Sequence, residues 1–302
     1  MGNSVPSDPN CVYQVKWDGV RMLAHIGRDK VMLHNRKLNH RTGHYPELAR
    51  LAELIQKDAI LDGEIVALRE GKPSFPLVLK RDLIGGGGRM PDAAKVRSAM
   101  QKVPIYYMVF DILYLNGEDI TGLPLSKRYE ILGNLLPEDD TIHLVENFTD
   151  GEELFAVLSA QKMEGILAKD QRSPYLPGKK HVTWQKIKVR QRQLVVIGGY
   201  TVKEGQMNAL LAGAYHEGQL VYLGRVATGL RNQDIACLSP VLKAAVRQTS
   251  PFVNASPGKD KIWVDPKLVA LIEFQEWTQD LRMRQPVIKG FTQEHPDDCV
   301  LI

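Results

Sequence analysis

Cysteine is scarce in this chain of 302 residues: Cys11, Cys237 and Cys299 are the whole set, and they lie far apart. An odd, scattered trio makes neither a disulfide framework nor a zinc pattern, which points to a reducing compartment. Long apolar runs are absent as well. No stretch approaches the roughly 18 apolar residues of a membrane helix, and MGNSVPSDPN at the start lacks the parts of a signal peptide. Pro6 stands where a myristoylation signal needs Ser or Thr. A cytoplasmic protein is therefore expected. No G-x-x-x-x-G-K-[ST] occurs, so the GGGG run at 85 to 88 is no Walker loop and reads as a surface excursion. Internal repeats are lacking too.

The charge excess is small, +4 with an isoelectric point near 8.8, but its distribution is uneven. GKKHVTWQKIKVRQR, residues 178 to 192, holds many cations and no acid. Trp184, Ile187 and Val189 are interleaved there, which predicts a strand with one cationic face. Upstream, strands and helices mix. VYQVKW and VRMLAHI read as a strand pair and VMLHN as a third strand. YPELARLAELIQK has Leu48, Leu51, Ala52 and Ile55 at helical spacing behind Pro46. AILDGEIVAL reads as a hairpin turning at Asp62-Gly63, and IYYMVFDILYL as a strand buried on both faces. LSKRYEILGNLL and DGEELFAVLSAQKM predict amphipathic helices, and EGILAKD and TWQKIKV predict strands. From about Gln193 the chain turns to Gly-punctuated strands. So many strands in about 110 residues fit a small sandwich or barrel. The expected fold class is α+β, with domains over 1–191 and 192–302.

VKWDGVRM raises a chemical question. If Asp18-Gly19 is a two-residue turn, Lys16 faces Arg21 across a hairpin. Like charges directly opposed in a sheet are destabilising. They are useful, however, to a nucleophile. A lysine with an ordinary pKa of about 10.4 is neutral in only about one molecule in 2,500 at pH 7. A neighbouring cation lowers that pKa, and the same cations bind phosphate oxygens.

KWDGVR, HNR at 34 to 36, DGEIV at 62 to 66, VFDILYLNG at 109 to 117, MEGILAK at 163 to 169 and WQKIK at 184 to 188 follow in order. This series resembles the ordered motifs of ATP-dependent DNA ligases, within the covalent nucleotidyltransferases. It is most similar to the compact ligase domain of bacterial end-joining repair proteins. The resemblance covers nearly the whole chain. It implies an adenylyltransferase domain of mixed antiparallel sheets and helices, followed by an OB-fold barrel. It also implies that Lys16 attacks the α-phosphate of ATP to give lysyl-AMP. AMP then passes to the 5′-phosphate of a nick, and the 3′-hydroxyl displaces it. Arg21 and Arg36 match phosphate-contacting arginines, Glu64 the acid on the ribose hydroxyls and Phe110 the ring stacked on adenine. Glu164 matches a ligand of magnesium, or of manganese in its place. Lys186 and Lys188 match the pair on the α-phosphate.

RQPVIKGF, residues 284 to 291, resembles the last motif, which acts on the leaving pyrophosphate through Arg284 and Lys289. Thr292 and Glu294-His295 depart from that motif where an arginine and an Asp-Lys pair are usual, which puts the efficiency of the first step in question. Gln14 replaces a glutamate that faces the adenine amino group, and an amide oxygen can accept the same hydrogen bond. The implied partner is nicked double-stranded DNA, with end-joining repair proteins beside it. Lys80, Arg81 and Arg89 near GGGG are candidate DNA contacts. Only about 15 residues precede Lys16, so no upstream DNA-binding domain is expected, and the Arg190 region is the expected hinge. A monomer in the bacterial cytoplasm, on the nucleoid when bound to DNA, completes the expectation. The alternatives are an RNA ligase, a GTP-using capping enzyme, or a catalytically weakened DNA-binding relative.

Overall fold

The computed structural model describes residues 4–85, 91–179, 182–256, 258–278 and 280–301. The chain divides into two compact units, residues 1–189 and 190–302. The first unit runs β1 (Cys11–Val15), β2 (Val20–Gly27), β3 (Lys30–Asn35), α1 (Leu51–Leu54), β4 (Ala59–Val66), β5 (Leu68–Arg69) and β6 (Lys72–Pro73). It continues with α2 (Phe75–Asp82), α3 (Ala93–Lys102), β7 (Tyr106–Leu115), β8 (Glu118–Asp119) and α4 (Leu125–Leu135). β9 (Ile142–Leu144), α5 (Gly151–Ala160), β10 (Gly165–Asp170) and β11 (Trp184–Lys188) complete it.

Two sheets carry this unit. One has the order β3-β2-β4-β7-β8 with β9 parallel to β7, and the other is β1-β10-β11. Because side chains alternate across a strand, each sheet has one face for the core and one to spare. Met22, Ala24, Leu61, Ile65, Tyr107 and Val109 of the large sheet bury themselves with Leu48, Leu51, Val78 and Leu132. Tyr13, Ile166, Ala168 and Ile187 of the small sheet pack on Leu154 and Leu158 of α5.

Four expectations change. β1 and β2 do not pair: β1 lies against β10, and β2 lies between β3 and β4. A hairpin turn of the expected type needs positive φ at both central residues, and neither Asp18 nor Gly19 has it. Gly19 serves close approach instead, since a Cβ there would stand 2.2 Å from the Ile65 carbonyl oxygen. Asp62-Gly63 is likewise no turn, and β4 runs straight through it. A Cβ on Gly63 would stand 2.6 Å from the Tyr107 ring, whose hydroxyl donates to the Met22 carbonyl at 2.9 Å. The predicted helix after Pro46 is a 3₁₀ segment, Pro46–Arg50, and the single turn α1. Its apolar positions still reach the core, with Leu48, Leu51 and Ile55 buried, because one tight turn already brings them to one side. β7 is buried on one face only, and Met108 and Phe110 on the other face are half-buried.

The predicted helices over α4 and α5 and the strands β3, β10 and β11 form as expected. In the second unit β12 (Gln191–Lys203), β13 (Gln206–His216) and β14 (Gln219–Val226) make an antiparallel meander. α6 (Asn232–Ala244) and β15 (Val246–Arg247) lead to β16 (Lys261–Phe274), which pairs with β12, β15 and β17 (Val287–Thr292). Val195, Ile197, Leu210, Leu223, Val264 and Ile272 fill its core with Leu238 and Leu242 of α6. The α+β class and the OB-type barrel expected from the sequence are borne out.

Candidate active site

The spare face of the small sheet collects the chemistry. Gln14, Leu167 and Lys186 form one row across β1, β10 and β11. Lys16 continues that face just beyond β1, its N–H donating to the Gly165 carbonyl at 2.9 Å, and Gly165 faces Lys188. Gly165 is required there: its φ is +138°, and a Cβ would stand 2.1 Å from the Ile187 carbonyl oxygen. That close packing presents Glu164, the next residue back, to both lysines. Its carboxylate forms a short ion pair with Lys16 and holds Lys188 at 3.0 Å, and only 8% of its side chain is exposed. The group in contact with Lys16 is thus a carboxylate, and the expected Lys16–Arg21 opposition does not occur. The mutual repulsion is felt at Lys186 instead, whose pKa is lowered by burial first and then by Lys16, Arg36, Arg21 and Lys188.

The large sheet supplies the facing wall. Arg21 pairs directly with Glu64 on the β2–β4 ladder. Its guanidinium donates to fully buried Asp62 through Nε at 3.0 Å and Nη2 at 2.5 Å, and to the Tyr175 hydroxyl at 2.7 Å. Tyr175 in turn donates to Asp62 at 2.8 Å. Glu64 is pushed up to about 8 by burial, against the pull of Lys16 and Arg21. The Phe110 ring has the Arg21 guanidinium 5.7 Å and the Lys169 ammonium 4.7 Å from its centre.

Lys169 is wholly buried, and its Nζ has no hydrogen-bond partner. Burial lowers it to about 8, while Asp111 and Asp62 oppose the fall. Gln14 is also wholly buried. Its Nε2 donates to Asn147 Oδ1 at 2.8 Å, and its Oε1 has no partner.

Gln14, Lys16, Arg21, Glu64, Phe110, Glu164, Lys186 and Lys188 therefore belong to the facing sides of these two sheets. Arg36 is exposed at the end of β3, close enough to act on Lys186. Arg284 belongs to the second unit, where it forms a short ion pair with Glu276. His295 caps the turn Pro296–Asp298, accepting from the Asp297 N–H at 3.3 Å. Arg81 is corrected outright as a DNA contact. It is fully buried and donates to Glu47 at 2.7 Å and to the Val103 and His44 carbonyls. Lys80 is exposed, and Arg89 with most of GGGG lies outside the described residues.

Sequence reasoning passed over Asp62, Asn147, Lys169 and Tyr175. Asp62 and Lys169 lie inside quoted motifs and could have been found there; Asn147 and Tyr175 carry no local signal. Among the described residues no group of three or more His, Cys, Asp or Glu side chains is arranged to hold a metal. Nor is any helix there long and apolar enough to cross a membrane.

Two opposed walls thus bring a lysine, an acid and clustered cations together in the first unit, which makes this its candidate active site. The model of the ATP dependent DNA ligase domain matches residues 6–188, and that of the ATP dependent DNA ligase C terminal region matches residues 203–295. The chain belongs to this family. It is similar to the multifunctional non-homologous end joining DNA repair protein LigD of Mycobacterium tuberculosis, 32% identical over 92% of this chain and 35% of that protein. A DNA ligase of Methanoculleus marisnigri is 32% identical over 87% of this chain and 46% of its own length. The crystal structure of the ligase domain of M. tuberculosis LigD superposes with a TM-score of 0.52 at 31% identity, covering 97% of this chain and 92% of that one. The chain thus spans about a third to a half of these full-length relatives.

Proposed function

We propose that this chain is an ATP-dependent DNA ligase that seals nicks between a 3′-hydroxyl and a 5′-phosphate. The observation that carries the reading is the cluster of Lys16, Glu164 and Lys188 at the edge of the small sheet, facing Arg21 and Glu64. In the first step the Lys16 amine, freed of its extra proton, attacks the α-phosphorus. A P–N bond forms and the bond to pyrophosphate breaks. Lys186 and Lys188 neutralise the α-phosphate, and Arg21 and Arg36 hold phosphate oxygens, so positioning and charge do most of the catalytic work. Phe110 stacks on the adenine and Glu64 meets the ribose hydroxyls. Arg284 acts on the leaving pyrophosphate.

Glu164 is a single carboxylate, which suits magnesium, or manganese, completed by phosphate oxygens and water. Bound there, the metal would offset phosphate charge. The unpartnered Gln14 oxygen favours adenine over guanine, against the GTP-using alternative. The similar LigD proteins act in end joining, so we assign this chain to break repair in a bacterial cytoplasm, as a monomer on nicked duplex with end-joining proteins as partners.

The test is step-specific. Lys16→Ala is expected to lose AMP labelling and sealing of an ordinary nick, yet to seal a nick already carrying 5′-adenylate. Labelling that survives in Lys16→Ala would move the nucleophile elsewhere.

A further inference from the structure

Gln14 is an ambiguous reader of a base, because a primary amide carries both donors and an acceptor. A carboxylate in its place would present oxygen only. Something must therefore decide which end of this amide meets the purine. In the structure Asn147 takes the Gln14 Nε2 proton on its own Oδ1 at 2.8 Å. That contact uses the donor end and leaves Oε1 buried and unpartnered. A buried polar atom left unpaired in the free protein points to a ligand that pairs it.

Asn147 is well held for this task. Its neighbour Phe148 exchanges backbone hydrogen bonds with Tyr13, at 2.8 and 2.9 Å, beside Gln14 on β1. Two residues back, the Val145 N–H donates to the Val109 carbonyl at 2.8 Å, next to Phe110 on β7. The Tyr129 hydroxyl fixes the Val145 carbonyl at 3.0 Å. The segment 145–148 therefore ties the strand of the base-reading amide to the strand of the stacking ring.

We infer that Asn147 is a positioning residue that orients the Gln14 amide oxygen toward the purine, so that the pair selects a 6-amino over a 6-oxo base. The inference rests on the reading of this cleft as an ATP site. Adenine offers N6–H to the free oxygen, whereas guanine sets O6 against it, two acceptors with no proton between them. A partner that could only donate would turn the Gln14 amide over and reverse the preference, so the partner of Gln14 is where selectivity is stored. Sites built to meet one polar group reject ligands that leave their buried polar atoms unpaired.

Calorimetric binding of ATP, GTP and purine riboside triphosphate to Lys16→Ala protein, which cannot react, separates this from catalysis. The expected parent preference is ATP over both others. Asn147→Leu should cut the ATP:GTP ratio about tenfold, equivalent to about 1.4 kcal/mol, and shrink the gain from the 6-amino group. Asn147→Asp, which can only accept from Gln14 and is nearly isosteric, should keep the ratio. It also serves as the decisive variant should the leucine protein fail to fold. An unchanged ratio in Asn147→Leu, a collapsed one in Asn147→Asp, or no nucleotide preference in the parent overturns the inference. Absence of lysyl-AMP in wild-type protein would sink the ligase reading alone, since the binding ratios stand without it.

Discussion

Glu64 shows how a single side chain reports on the site. Its carboxyl is pushed up to about 8 by burial, against an ordinary value of 4.5. Between those values the folded chain holds a proton that the unfolded chain has released. Its contribution to stability is therefore complete below the ordinary value and is lost as pH rises through about 8. Glu64→Gln removes the titration, so its Tm should fall less between pH 5 and 8 than that of the wild type, by a few degrees. Parallel slopes in thermal scans would place the charged form of Glu64 comfortably in the folded site. Lys169 does not blur this test, because a base lowered to about 8 changes its contribution only above that pH.

At the scale of elements, glycines that look like turn signals are contact points. Gly165 combines a φ of +138° with a Cβ position 2.1 Å from a neighbouring carbonyl. Gly165→Ala should destabilise the first unit by about 2 kcal/mol or more and displace Glu164 from both lysines. A Tm within a degree of wild type would show that β10 and β11 can part without harm. Arg81→Ala removes a buried cation from Glu47 and two carbonyls. A loss of about 3 kcal/mol is expected, with nick affinity per folded molecule unchanged across salt concentrations. Weaker, less salt-dependent binding by fully folded mutant would return Arg81 to the DNA surface.

The same contrast explains what was legible. Lys186 and Lys188 share a face because strands alternate, and that parity could be read directly. Leu48, Leu51 and Ile55 kept their burial although the helix shrank to a turn, since spacing specifies a face better than a helix type. Asp18-Gly19 and Asp62-Gly63 misled because a dipeptide says where a side chain is missing, not whether the chain reverses there or is approached there. Asn147 was invisible, since its value comes from Tyr13 and Gln14, more than a hundred positions away.

For the whole molecule, the chain folds as two compact units that match the ligase domain and the ligase C terminal region, and the first unit alone brings together an amine, a carboxylate and a cluster of cations. The departures at Thr292, Glu294 and His295 fall in the second unit, where His295 is engaged in a local cap. If the usual lysine there assists departure of pyrophosphate, His295→Lys should speed self-adenylylation and leave sealing of a pre-adenylylated nick unchanged. Equal rates for the first step would show that Arg284 and Lys289 suffice.

The central claim is a covalent bond between AMP and Lys16. Intact and peptide mass spectrometry after incubation of adenylate-free protein with ATP and magnesium tests it most directly. The account predicts one AMP per chain, mapped to Lys16 and discharged by nicked DNA. An unmodified mass, or AMP mapped to any other residue, contradicts it.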